Sequence, residues 1–221
     1  TFLNGGNISA GNGDFALSAA DGLVMDASVT TTGGSILLNA DNDADGNGNL
    51  TTGASAPLIT GTGNISLTGH DLFLDANVTA GGNGTIIITA TSSGVLAASA
   101  NTTIDSANND ISLTINDITL DGTLDGGTGN ITFTQNDAQG GIALGDTPFA
   151  NALNITQAEL QSITANELIL ISNNVTTIDN ISATNSDNIG TVVITTTVSD
   201  VLFTGNASTF NALDVTTDDD I

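Results

Sequence analysis

The sequence predicts an all-β protein, a right-handed parallel β-helix (β-solenoid) of roughly ten coils, because one short phrase keeps returning along the chain. NISLTGHDLFLDANVTAGG at 64–82 comes back as NDISLTINDITLDGTLDGG at 109–127 and, in its second half, as DGLVMDASVTTTGG at 21–34. Within the phrase Ile65, Leu67, Leu72, Leu74 and Val78 alternate with Asn, Ser, Thr and Asp, which reads as two or three short strands broken at Gly69-His70-Asp71. Strands this short bury their apolar edge only by stacking on a copy of themselves. The composition agrees: 39% of 221 residues are hydrophobic, yet there are seven Phe and no Trp or Tyr, so the interior is a narrow aliphatic one.

Taken in order, residues 1–22 hold a first weak copy, with Asn7-Ile8-Ser9 matching the opening of the phrase and Phe15 and Leu17 alternating after it. In 23–40, Ile36 to Leu38 occupy the place of Ile65 to Leu67. From Asp41 to Gly63 small polar residues and one of the two prolines interrupt the pattern, which reads as a loop protruding at 41–49 and a short strand near Leu58-Ile59. The openings Ile65, Ile86, Ile111 and Ile131 follow one another at offsets of 21, 25 and 20 residues, the mark of coils with unequal corner loops. Thr156-x-x-Glu159 has capping-box spacing, so at most a short helical turn is expected near 157–163, as a bracing corner. ELILIS, NVTTIDNISA, GTVVITTT, DVLFTG and ALDV resume the strands, and TTDDDI is a solvated acidic tail. At about 4.8 Å per strand such a stack is on the order of 50 Å long, with sheet edges open at both ends and no cap legible.

Charge narrows the function. There is no Lys or Arg against 22 Asp and two Glu, a formal charge of -24. Such a surface repels nucleic acid and anionic lipid and is neutralised only by cations from the medium. No run of about 18 apolar residues offers a membrane span, and no leader segment is legible, so the chain is expected to be a piece of a longer one. The absence of Cys leaves the redox compartment unread.

NISLTGHDLFLDANVTAGG, NDISLTINDITLDGTLDGGTGNITFT and GGIALGDTPFANALNITQAELQSITANELILIS together resemble the repeat text of filamentous-haemagglutinin-like giant bacterial surface adhesins with β-strand repeats. The third stretch is similar to a spacer of such proteins, where Gly-Leu/Ile-x-Leu-Gly precedes a short acidic turn ending in Ile-Thr-Ala. The resemblance implies a β-solenoid, an extracellular or cell-surface location and a structural or adhesive role, with no catalytic residues to carry over. The lack of Lys and Arg departs from familiar members and speaks against basic, heparin-type or sulfated-glycan recognition.

Among constellations that carry chemistry, Asp41, Asp43, Asp45, Asn47 and Asn49 around Gly46 are the metal candidates. Oxygen ligands at alternate positions converge when the chain curls, as a hard cation such as Ca²⁺ requires. Thr52 stands where a bidentate Glu would complete an EF-hand loop, which predicts weak affinity, about 10⁻⁴ to 10⁻³ M; the competing reading is a solvated acidic turn. Asp26, Asp75 and Asp121 recur at one place in three copies, about two coils apart, and read as strand-end solvation. His70, the single histidine, reads as a polar corner residue without nucleophile or oxyanion hole. Eleven Asn-x-Ser/Thr sites arise from composition first. Threonine runs such as 30–32 and 195–197, and the alternating Thr132 and Thr134 of ITFT, suggest a flat hydroxyl face, but their linear positions drift.

The expectation is therefore a structural or adhesive repeat module of a large secreted or cell-surface protein, filament-forming and cation-binding. End-to-end or lateral self-association and a surface glycan or receptor are its expected partners, and no enzyme activity is expected. Two alternatives stay open: a carbohydrate-active β-helix enzyme using Asp pairs, and an ice- or glycan-binding solenoid.

Overall fold

The computed structural model describes residues 1–137 and 140–218; the last residues of the acidic tail, 219–221, lie outside the described residues. The chain winds as a parallel β-solenoid of about nine turns, its strands pairing parallel with strands of the adjacent coils. Each regular coil lays one strand on each of three faces. In the reference phrase these are Ile65–Gly69 on face C, Leu72–Leu74 on face A and Val78–Ala80 on face B. The break expected at Gly69-His70-Asp71 is the corner between the first two.

Register follows from the pattern of apolar residues, since a one-residue slip would turn every inner side chain to water. On face C the inner positions run Phe15, Ile36, Ile65, Ile86, Ile111, Ile131, Leu168, Val192 and Leu213, each in register with the next. Two residues on, Leu38, Leu67, Ile88, Leu113, Phe133, Leu170 and Ile194 form a second file, and all seven are buried. Face A contributes Leu23, Leu50, Leu72, Leu96 and Ile118, and face B Val29, Leu58, Val78, Ile104 and Leu124, so the core is a continuous aliphatic column. The offsets of 21, 25 and 20 residues do bring Ile65, Ile86, Ile111 and Ile131 into one file, with the extra residues absorbed at corners. Nine strands on face C at about 4.8 Å make a stack roughly 40 Å tall.

Side chains as well as backbone run from coil to coil at the corners. The Asn64 carboxamide oxygen accepts from Thr85 N (3.0 Å), Asp110 from Asn130 N (2.9 Å), Asp71 from Val95 N (3.0 Å) and Asn77 from Thr103 N (2.9 Å). Many acidic and amide residues thus serve as rungs for N–H groups that a bent corner leaves without a ladder partner. Asn64 and Asn77, which open Asn-x-Ser/Thr triplets, are among them. Asp26, Asp75 and Asp121 follow Met25, Leu74 and Leu120, with Gly53 and Ser99 on the coils between, so they stand two coils apart as expected.

Three expectations are corrected. Asn7-Ile8-Ser9 lies on face B opposite Ser28, Val29 and Thr30; Phe15 and Leu17 take the opening place on face C. A Cβ on Gly34 would lie 2.0 Å from Gly13 O, and one on Gly63 2.1 Å from Gly34 O, so the glycines before these face C strands stack, whereas a Cβ on Gly6 before Asn7 would meet nothing within 4 Å. Directly after the loop at 41–49 the chain forms a further strand, Leu50–Thr52, between Leu23–Met25 and Leu72–Leu74, where none was expected before Leu58-Ile59; its single buried Leu is too little text to signal a strand. A second helix was not foreseen: beside α1 (Gln157–Gln161) stands α2 (Ala183–Ser186).

These helices belong to a change of pattern after Asn130–Gln135. The chain lays down Ile142–Gly145, steps back one rung to Leu153–Ile155, turns through α1, and covers faces B and C with the single strand Ile163–Ser172. The four-stranded sheet so formed continues face A above Asp117–Leu120, where Asp117 accepts from Asn154 N (2.9 Å). The expected capping box at Thr156 and Glu159 is present. Glu159 also accepts from Leu120 N (3.0 Å), so α1 braces the step as its spacing predicted.

Candidate cation site in the acidic loop

The loop leaves the stack at the corner between faces C and A, after the strand Ile36–Asn39. Its turn needs two left-handed residues, Ala44 (φ 55°) and Gly46 (φ 82°); the glycine supplies the second without a Cβ penalty, the role the sequence assigns it. The curl brings Asp41, Asp43 and Asp45 together, one carboxylate oxygen from each lying within 4.8 Å of the others. Asn47 closes on the same group, donating to Asp45 from its backbone N and its side-chain Nδ2, both at 3.0 Å. Asn49 faces the stack instead, where its carboxamide oxygen accepts from Asp71 N at 3.1 Å.

The three acids differ in surroundings. Asp43 and Asp45 are exposed, whereas Asp41 is only 2% exposed and lies under the loop. Its carboxylate accepts from Asp45 N (3.2 Å), Gly46 N (3.3 Å) and the Thr91 hydroxyl, which reaches it from two coils further along. A buried carboxylate without a cationic partner is tolerable only when donors surround it in this way. The loop is therefore pinned at its base while its outer rim stays in water.

Two neighbours escaped the sequence reading. His70 and Thr91 occupy the same corner on successive coils, 21 residues apart, and His70 Nδ1 lies 3.1 Å from Thr91 O. A carbonyl only accepts, so Nδ1 donates in this contact. The Gly46 Cα faces Ser92 and the His70 ring. The 21-residue offset was the signal that His70 and Thr91 share a corner; nothing in the sequence said that the loop folds down onto it.

What the cluster can do is hold a divalent ion. Three carboxylates converging without Lys or Arg repel one another, and a cation relieves that repulsion. The candidate oxygens from Asp41, Asp43, Asp45 and Asn47 are hard ligands of the kind Ca²⁺ takes, short of the six to eight it favours unless water completes the shell. Elsewhere acids have other work. Asp105 and Asp125, in register on adjacent coils of face B, each cap the turn that follows, accepting from Ala107 N (2.7 Å) and Gly127 N (2.8 Å). A surface groove bordered by Pro57, Asn77 and Asn101 holds one carboxylate, Asp75, which accepts from the Ser99 hydroxyl. No helix of the described residues is long and apolar enough to cross a membrane. No protein-family model matches the chain, and neither does any curated protein or any solved structure.

Proposed function

We propose that this chain is a structural and adhesive repeat module of a large secreted or cell-surface protein of the filamentous-haemagglutinin-like kind, a stiff spacer whose acidic surface takes up divalent cations. The observation that carries the reading is the use of side chains. Inner files fill one column, and corner acids and amides hydrogen-bond the next coil. Such a chain spends its chemistry on stacking. The same acid usage counts against Asp-pair hydrolysis, because the in-register pair Asp105 and Asp125 is committed to turns.

Beads coated with the chain are expected to adhere to cell or matrix surfaces. Reducing-end assays on acidic and neutral polysaccharides are expected to show no release. Sugar release by the chain replaces this reading with the enzymatic one. For the cation, Ca²⁺ is the ion proposed for Asp41, Asp43, Asp45 and Asn47. Calorimetric titration is expected to show weak binding, in the range of about 10⁻⁴ to 10⁻³ M, that Asp43→Ala abolishes; equal heats in both proteins refute the site.

A further inference from the structure

The outer surface of face C differs from the rest of this acidic molecule. Its two outward columns are in register from coil to coil. One runs Ala16, Leu37, Ser66, Ile87, Ser112, Thr132, Ile169 and Val193; the other runs Ser18, Asn39, Thr68, Thr89, Thr114, Thr134, Ile171 and Thr195. Neither column holds a carboxylate until Asp214, although the chain carries a charge of -24. The acids flank these columns: Asp14 and Asp110 immediately precede the strands Phe15–Ser18 and Ile111–Ile115, and Glu167 lies within Ile163–Ser172, in register with Asn130.

On four consecutive coils the two columns pair Ser66 with Thr68, Ile87 with Thr89, Ser112 with Thr114 and Thr132 with Thr134. Strand geometry sets the spacing, about 4.8 Å between coils and about 6.6 Å along each strand, a repeating grid of hydroxyl and methyl groups. The threonine runs add only Thr195: Thr31 points inward, and Thr68, Thr89, Thr114 and Thr134 come one from each of four successive coils. Unequal corner loops hide their alignment in the linear text.

These hydroxyls are also unused. Buried or corner hydroxyls such as Thr31, Thr60, Thr102 and Ser106 donate within the protein. The hydroxyls of Thr68, Thr89, Thr114, Thr134, Ser66, Ser112 and Thr132 make no hydrogen bond to the described residues. We infer that this grid docks onto ordered water, the surface of an ice crystal, with Thr89 and Thr114 at its centre. Charge and chemistry choose that occupant. A second copy would bring another -24 against this one, and a sugar polymer would find no aromatic platform, since Phe15 and Phe133 both point inward. A neutral lattice of donors and acceptors meets hydroxyls that offer both, while the threonine methyls fill the spaces between. The inference is independent of the spacer reading.

The test is partition of the intact chain into slowly grown ice, compared with an acidic protein of similar size. The chain is expected to be enriched in the ice fraction several-fold over that control. Thr89→Asp and Thr114→Asp are each expected to abolish the enrichment with an unchanged circular dichroism spectrum, and Thr30→Asp, on the outer side of face B, to leave it intact. Exclusion of the parent chain from ice overturns the inference, as does enrichment that survives both face C substitutions. Retention on an insoluble neutral glucan, or dimerisation, abolished by those substitutions without ice enrichment gives the face to that partner and overturns it equally.

Discussion

At the scale of single residues, the stack is decided where backbones approach most closely. Gly63 sits between Gly34 and Gly84 at one corner, and a Cβ there would meet Gly34 O at 2.1 Å, well inside contact distance. The obstacle is backbone, not a side chain that can swing away. Gly63→Ala is therefore expected to cost more than about 2 kcal/mol in denaturant unfolding, among the larger single-residue effects; a cost like that of an exposed substitution would show that the corner yields. Electrostatics at this scale is local too. The Asn180 carboxamide donates to Asp146 at 2.6 Å and the Gln157 carboxamide at 2.5 Å, and in that order they hold its carboxyl below the ordinary range, against a small opposing effect of desolvation. Its folded pKa is depressed, so its contribution to stability is present above the unfolded pKa and fades as pH falls through the folded one. Melting curves taken from neutral pH down to about pH 3 should converge for the parent and Asp146→Asn at the acid end, with any advantage of the parent confined to the neutral side.

At the scale of elements, what the sequence made legible depended on how much text each element carries. Strands with two or three alternating aliphatics, such as Ile65–Gly69 and Ile111–Ile115, were legible with their register, because alternation and offset said the same thing. Leu50–Thr52, with one, was not, and α2 has no side-chain cap at Ser182 to signal it. The one helix that was foreseen had a capping box. Thr156 accepts from Glu159 N at 3.3 Å, and Glu159 accepts from Thr156 N (2.9 Å) and from Leu120 N (3.0 Å) on the neighbouring coil. Glu159→Ala removes both the box and an acceptor for a strand N–H. It is expected to cost about 1–2 kcal/mol in thermal or denaturant unfolding, with Glu159→Gln recovering most of it. Equal losses for Ala and Gln would mean that charge, not hydrogen bonding, is what α1 contributes. The acidic loop was half legible for a related reason: alternate aspartates and Gly46 announced the curl, while its docking on Thr91 and His70 depends on a corner two coils away.

At the scale of the whole molecule, two long-range terms oppose each other. The aliphatic column is shared by every coil, and the charge of -24 is shared as well, with no Lys or Arg to offset it. The acids recur along the corners of a stack roughly 40 Å tall, so charges too far apart to interact across a Debye length of about 10 Å at 0.1 M do so across one of about 30 Å at 0.01 M. Screening should therefore relieve repulsion in the folded state more than in the expanded chain, where the same charges lie further apart. The melting temperature is expected to rise steadily with NaCl at neutral pH, most steeply below about 0.1 M. Hydrogen exchange under the same conditions is expected to protect Ile65, Ile86 and Ile111 most, and Ile8, Phe15 and Val215 least, because the first three are fully buried and the last three have water on one side. Salt should then slow exchange at central and terminal coils alike, since repulsion acts on the whole column. A melting temperature that stays flat or falls as salt rises would mean that the corner hydrogen bonds to Asp71, Asp110 and their counterparts already compensate the charge.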